Sequence, residues 1–218
     1  MVNLNEIHDF FQNCFEQYGE SPEGVGWNSD SAQEIRFNQL LKVIQPADSF
    51  SLVEYGCGYG HLIDYMEKVG YHPSRYYGVD ILESAIQAAK KRYGNNPAVS
   101  FHRSLDEIPE ADYLVASGVF NVKLDHDNVT WTRYIIESLD TFNLIAKRGF
   151  SVNFLTKYSD YDRMVQRPDL YYADPCFLFD YCKANFSRNV ALLHDYQIYD
   201  FTIIVRKEFP EKLTKREK

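Results

Sequence analysis

Val53-Glu54-Tyr55-Gly56-Cys57-Gly58-Tyr59-Gly60-His61 is the stretch on which the reading of this chain turns. The short apolar run 51–55 reads as a strand. Three alternate glycines then let the backbone turn tightly and approach a ligand closely, and Gly60 to Val69 reads as a helix. The rhythm continues outward. RYYGVD (75–80) is a strand ending in Asp80, followed by a helix from Leu82 to Tyr93. AVSFHR (98–103) and DYLVASG (112–118) are further strands, the second opened by Asp112. A long helix over 130–146 ends at the Lys147-Arg148-Gly149 stop signal, and GFSVNFL (149–155) is a fifth strand. Alternating strands and helices predict a parallel sheet covered on both faces, an α/β protein of the Rossmann-like kind.

The flanks differ. Residues 3–18 form an amphipathic pattern, and Ser31 with Glu34 makes a capping box that opens a helix to Ile44, broken by Pro46. Residues 1–44 therefore read as an N-terminal helical cap on a domain at 45–207, with 208–218 a basic tail. Towards the end, Asp174-Pro175 caps a helix reaching Phe186. NVALLHDY (189–196) and YDFTIIVRK (199–207) are separated by Gln197-Ile198, the spacing of an antiparallel hairpin. The segment 157–173 has no clear period, and long connections of this kind are usually functional. Together with residues 1–30, Tyr18 and Trp27 among them, it is expected to cap a pocket at the carboxyl edge of the sheet.

Composition narrows the function. The 218 residues carry 23 Lys and Arg against 31 Asp and Glu, a net charge of −8. Such a surface repels phosphate backbones, so nucleic acid is not expected as a partner. Cys14, Cys57, Cys176 and Cys182 form no CxxC pair, which predicts neither a zinc site nor a disulfide framework. Cys57 reads as a small filler between glycines. No signal peptide or 18-residue apolar run is legible, and the expectation is a cytoplasmic protein without a membrane span.

Two ligands compete for the glycine turn. A dinucleotide fold wants G-x-G-x-x-G with amides on a pyrophosphate; here the third glycine comes one residue early, and Glu54 precedes the first by two. A carboxylate is awkward beside a pyrophosphate and welcome beside an ammonium. The pattern suits S-adenosylmethionine (SAM), whose carboxylate a helix N-terminus would favour. Asp80 can accept hydrogen bonds from both ribose hydroxyls in either case. An NADH-dependent oxidoreductase and a non-catalytic SAM-binding scaffold are the alternatives.

At Glu54-x-Gly56-x-Gly58-x-Gly60, Asp80, Asp112 and the terminal hairpin the chain resembles class I SAM-dependent methyltransferases. Within these it is similar to a bacterial group sharing GVGWNS (24–29), SGVFN (117–121), YYADP (171–175) and HDYxxYDFT (194–202). The resemblance implies a seven-stranded sheet of order 3-2-1-4-5-7-6 with the seventh strand antiparallel. It implies Glu54, Gly56, Gly58 and Gly60 at the methionine portion, Asp80 at the ribose, and Ile81, Ser104 and Leu105 at the adenine. Ser117 and Gly118 would line the cofactor, and Arg36 would meet its carboxylate. Asn121, Tyr171 and Tyr172 are substrate candidates, with Asn121 and His194 the candidates for catalysis. The expected acceptor is a small molecule or a carrier-linked sugar, methylated on oxygen or nitrogen, without a metal. His126, in LDHDN, and Asp174 read more simply as a solvated loop and a helix cap.

Overall fold

The computed structural model describes residues 2–26, 29–45 and 49–207. Trp27, Pro46 and the tail 208–218 lie outside the described residues. The chain begins with two helices, α1 (Leu4–Tyr18) and α2 (Asp30–Leu40). Then come β1 (Ser51–Tyr55), α3 (His61–Val69), β2 (Arg75–Val79), α4 (Glu83–Tyr93), β3 (Val99–His102) and β4 (Ala111–Ala116). It closes with α5 (Asn128–Ile145), β5 (Ala146–Leu155), α6 (Tyr161–Gln166), α7 (Pro175–Asn185), β6 (Asn189–Leu193) and β7 (Asp200–Arg206).

The strands form one seven-stranded sheet of order β3-β2-β1-β4-β5-β7-β6. All neighbours are parallel except β7, which runs antiparallel to both β5 and β6. Central parallel strands are covered on both faces, so their residues are apolar almost without alternation. In β1, Leu52 and Val53 are fully buried and face opposite cores. Leu52 packs with Tyr76, Leu62, Met66, Ile86 and Ala89 on the α3/α4 side, and Val53 with Leu114, Trp131, Ile135 and Phe142 on the α5 side. Glu54 shares the Leu52 face and is an ionisable group buried in this run. At the opposite end of the sheet Asp112 accepts from the backbone N–H and the hydroxyl of Ser51, which ties β4 to β1 in register.

Two boundaries differ from the sequence reading. The N-cap of α2 is Ser29, whose hydroxyl accepts from the Ala32 N–H, rather than Ser31; Glu34 instead pairs with Lys68 of α3. The terminal hairpin turns through residues 194–199, not through Gln197-Ile198 alone. The alternation of His194 to Tyr196 imitates a strand, but the Tyr196 hydroxyl is drawn back to Thr202 and the chain turns at Gln197, whose φ is +55°.

Candidate active site

The strand order reverses between β1 and β4, because β1 connects outward to β2 while β4 connects outward to β5. Loops leaving the carboxyl ends of these two strands diverge and leave a crevice, the usual ligand position in open α/β sheets. A cavity of about 410 Å³ lies there, within the 300–1,000 Å³ typical of small-molecule sites. Its floor is the 56–59 turn after β1 and the 117–119 turn after β4. Its roof includes Leu4, Ile7 and Phe11, one face of α1, together with Val25 and Gly26.

The turn after β1 is built by left-handed glycines. Gly56 has φ +77° and Gly58 φ +53°. A Cβ on Gly56 would lie 2.3 Å from Val119 Cγ1, and one on Gly58 2.9 Å from Val25 Cγ1. Side chains are thus excluded both by backbone conformation and by space. The turn is held from the next strand. Gly56 and Cys57 N–H groups donate to Val79 O, and the Gly58 N–H donates to Asp80 Oδ2 at 2.8 Å. Asp80 Oδ1 accepts from Leu82 N–H at 2.9 Å. Each carboxylate oxygen keeps a further acceptor position, and Asp80 lines the cavity. Burial raises the Asp80 carboxyl above the usual range, opposed by these backbone bonds. Glu54 is buried, accepts from the Tyr76 hydroxyl, and is pushed up to about 8 by desolvation, with Asp80 adding to the effect.

Glu54, Gly56, Gly58, Asp80, Ile81, Ser104, Leu105, Ser117, Gly118 and Asn121 all line this cavity. Gly60 does not line the cavity; with φ +88° it closes the turn and opens α3. Asn121 lines it, and its Oδ1 accepts from Leu155 N–H at 3.1 Å, which leaves its NH₂ end and one oxygen lone pair for a ligand.

The other candidates are placed elsewhere. Arg36 is withdrawn from the cofactor: its guanidinium makes a bidentate pair with Asp200, at 3.0 and 2.5 Å, and donates to Ala32 O. The Tyr171 hydroxyl is bonded to Thr132 and the Tyr172 hydroxyl to Arg163 O, and neither lines the cavity. Bridges from Leu170 to Val122 and from Ala173 to Thr156 pin segment 157–173 behind the wall, so it is not part of the roof. His194 is exposed beyond β6, the edge strand. Three strand spacings of about 4.8 Å separate β6 from β4, roughly 14 Å in all. His194 is not among the residues that line this cavity. Asp174 caps α7 through Cys176 and Phe177 N–H groups.

Four residues not read from the sequence join the site. Gln33 of α2 meets His61 Nδ1 at 2.7 Å, and both line the cavity. Tyr55 and Tyr134 present hydroxyls 3.4 Å apart from β1 and α5. Burial raises both phenols, so they stay protonated. Tyr55 was legible in principle, since strand alternation turns it to the face opposite Glu54.

These residues fit the cofactor suggested by the glycine turn. The buried Ser117 hydroxyl lacks a hydrogen-bond partner, and α3 starts without a side-chain cap. Such groups are completed by a polar ligand with an anionic end. The buried Glu54 carboxylate wants a cation. Cys57 is no nucleophile: burial pushes its thiol well above the ordinary value, with Asp80 and Glu54 adding to the rise. Thiol alkylation of the folded protein is therefore expected at exposed Cys176 well before Cys57 or Cys182, as peptide mass mapping would show. Equal labelling of Cys57 would mean that the turn opens readily.

Comparison with known proteins agrees with this geometry. Residues 53–128, from the glycine turn past the 117–121 turn, match a family described as a methyltransferase domain. A Mycobacterium tuberculosis protein named "Putative methyltransferase Rv1506c" is 46% identical over 167 residues, covering 77% of this chain and 99% of that protein. Two solved structures share the fold. The N-methyltransferase NodS from Bradyrhizobium japonicum, in complex with S-adenosylhomocysteine (SAH), superposes with a TM-score of 0.61 at 15% identity, over 93% of this chain and 98% of NodS. The DhpI complex with SAM and HEP superposes with a TM-score of 0.57 at 14% identity, over 94% and 95% of the two chains. With the seven-stranded order, the switch-point cavity and this relative in agreement, the chain belongs to the class I SAM-dependent methyltransferases.

Proposed function

We propose that the protein methylates a small-molecule acceptor, on oxygen or nitrogen, at the switch-point cavity, and that it works in the cytoplasm without a nucleic-acid partner. The observation that carries this reading is the roof. Leu4, Ile7 and Phe11 of α1 lie over the cavity, which suits an acceptor that is enclosed rather than one presented on a broad surface. In this reading Asp80 holds the ribose, Glu54 the ammonium, and the amides of the glycine turn and the start of α3 the carboxylate. Ile81, Ser104 and Leu105 border the adenine.

SAM supplies a methyl group already made electrophilic by the sulfonium it sits on. What the chain must do is align and exclude water, and alignment can contribute up to roughly 7–11 kcal/mol. The Tyr55 and Tyr134 hydroxyls, kept protonated by burial, would donate hydrogen bonds that orient the acceptor. With His194 outside the cavity lining, the acceptor is one that reaches the site with a lone pair ready, such as a neutral amine, a carboxylate or an activated hydroxyl.

Thermal melting with SAM, SAH and NADH in parallel tests the cofactor assignment. Ligand at about 100 times its Kd adds about 2.7 kcal/mol, a shift of roughly 5–11 °C for a domain of this size. SAM and SAH should shift the transition and NADH should not. Methyl-labelled SAM incubated with fractionated cell extract then tests the acceptor class. Label is expected in the low-mass fraction, and label confined to protein or nucleic acid would overturn the small-molecule reading.

A further inference from the structure

The cavity has two walls that no single element spans. One is the 117–119 turn after β4, with Val119 seated over Gly56. The other carries Gln33 of α2 against His61. Buried polar groups run between them. The Gly118 N–H, at φ +69°, donates to Asn153 Oδ1 of β5 at 2.8 Å. Asn153 Nδ2 donates to Asp200 Oδ1 of β7 at 2.9 Å. Asp200 in turn receives the Arg36 guanidinium, through Nε to Oδ1 and Nη2 to Oδ2. Arg36 stands three residues beyond Gln33, on the same face of α2. Asn153 is 0% exposed, Asp200 1% and Arg36 8%.

We propose that Arg36, Asp200 and Asn153 are positioning residues for methyl transfer, a buried strut that fixes the distance between the Gly118 turn and the Gln33–His61 wall. The proposal rests on reading this cavity as the SAM site. A buried ion pair is rarely the most stable way to fill a core, since apolar residues of similar volume often serve as well or better. What apolar residues cannot do is aim a carboxamide at the Gly118 amide. Gly118 lies past the end of β4, outside the strand ladder, and its N–H is taken by Asn153 Oδ1 instead. If the turn relaxes, Val119 shifts over Gly56, and Gly56 has no spare room. The strut therefore transmits the placement of α2 and β7 into the shape of the cofactor floor, although none of its three side chains lines the cavity.

The test uses the full chain, with SAH as the probe. Asn153→Leu keeps the volume and removes the acceptor of the Gly118 amide. The double variant Arg36→Met with Asp200→Leu removes the ion pair without stranding a charge. For each, three quantities are measured: the unliganded melting temperature, SAH affinity by calorimetry, and hydrogen exchange at Gly118 compared with core amides of β5. The expected result is a folded protein with protected β5 amides, faster exchange at Gly118, and SAH affinity lower by about tenfold or more, the scale of one buried hydrogen bond left unmade. Folded variants with loosened Gly118 but unchanged SAH affinity would overturn the proposal. If either variant fails to fold, Arg36→Lys retains a cation beside Asp200 but loses the two-pronged geometry, and the same criteria apply to it. Asp80→Ala runs alongside. Undiminished SAH binding there would refute the site itself, whereas a loss there with none in the strut variants would refute only the strut.

Discussion

Asp80→Ala is expected to fold and to bind SAM about 100-fold or more weakly than the wild type. The side chain directly follows β2 and lines the cavity, and in the proposed reading its two oxygens accept from a pair of ribose hydroxyls. A hydrogen bond to a charged group contributes about 1.5–3 kcal/mol, so losing two costs at least about 3 kcal/mol, and 1.4 kcal/mol is a factor of ten. The same carboxylate also holds the Gly58 and Leu82 N–H groups. The variant therefore loosens the glycine turn too, and the affinity loss should exceed that of the ribose contacts alone. The fold survives because the turn stays bonded to Val79 O through Gly56 and Cys57. Calorimetric titration with SAM, beside a far-UV spectrum and a melt, decides the matter. Equal affinity in a folded variant would place the ribose elsewhere. Asp80→Asn refines the test: it keeps one acceptor, and intermediate affinity is expected.

The cavity lining at the ends of β1 and β2 was legible in the sequence because it is local. Three glycines at alternate positions, a carboxylate before them and an acid at the next strand end lie within about 30 residues, and each acts through its own backbone conformation or its place at a strand end. The sheet order followed from the resemblance carried by those residues and the terminal hairpin. What was not legible depends on partners distant in sequence. Arg36 is a cation on a helix ahead of the sheet, and nothing nearby shows that Asp200, 164 residues away, takes its guanidinium rather than a ligand. Tyr171 and Tyr172 are substrate candidates by sequence, of which at most one would face a ligand, but Leu170 bridges to Val122 and neither tyrosine lines the cavity. His194 continues an alternating pattern and so reads as part of a strand near the site; the strand ends at Leu193, and His194 does not line the cavity. The roof was anticipated only as a region. That Leu4, Ile7 and Phe11 form it depends on how α1 lies against the body.

Glu54→Gln is expected to make the unliganded protein more stable at alkaline pH while weakening SAM binding. The Glu54 carboxyl is raised to about 8 by burial, opposed by the Tyr76 hydroxyl and reinforced by Asp80. Its ordinary value is 4.5. Between those limits the folded state holds a proton that the unfolded state has released, so stability falls as pH rises. The contribution of this group is complete below about 4.5, is lost progressively through the window, and is absent above about 8. By pH 8 the cost is on the order of 4 kcal/mol. Glutamine is neutral at every pH and still offers an oxygen to Tyr76. Denaturant unfolding should therefore give wild type and variant similar stabilities near pH 5 and a variant advantage near pH 8. Parallel pH slopes would show that another group titrates. SAM binding should invert the ranking. An ammonium beside Glu54 stabilises the carboxylate form, so wild type recovers on binding what burial took away, and the variant has nothing to recover. The discriminating ligand is an SAH analogue without the amino group, which wild type and variant should bind alike. If the variant bound SAM as tightly as wild type, the ammonium would lie away from Glu54, and the carboxylate would be a cost of the fold with no return in recognition.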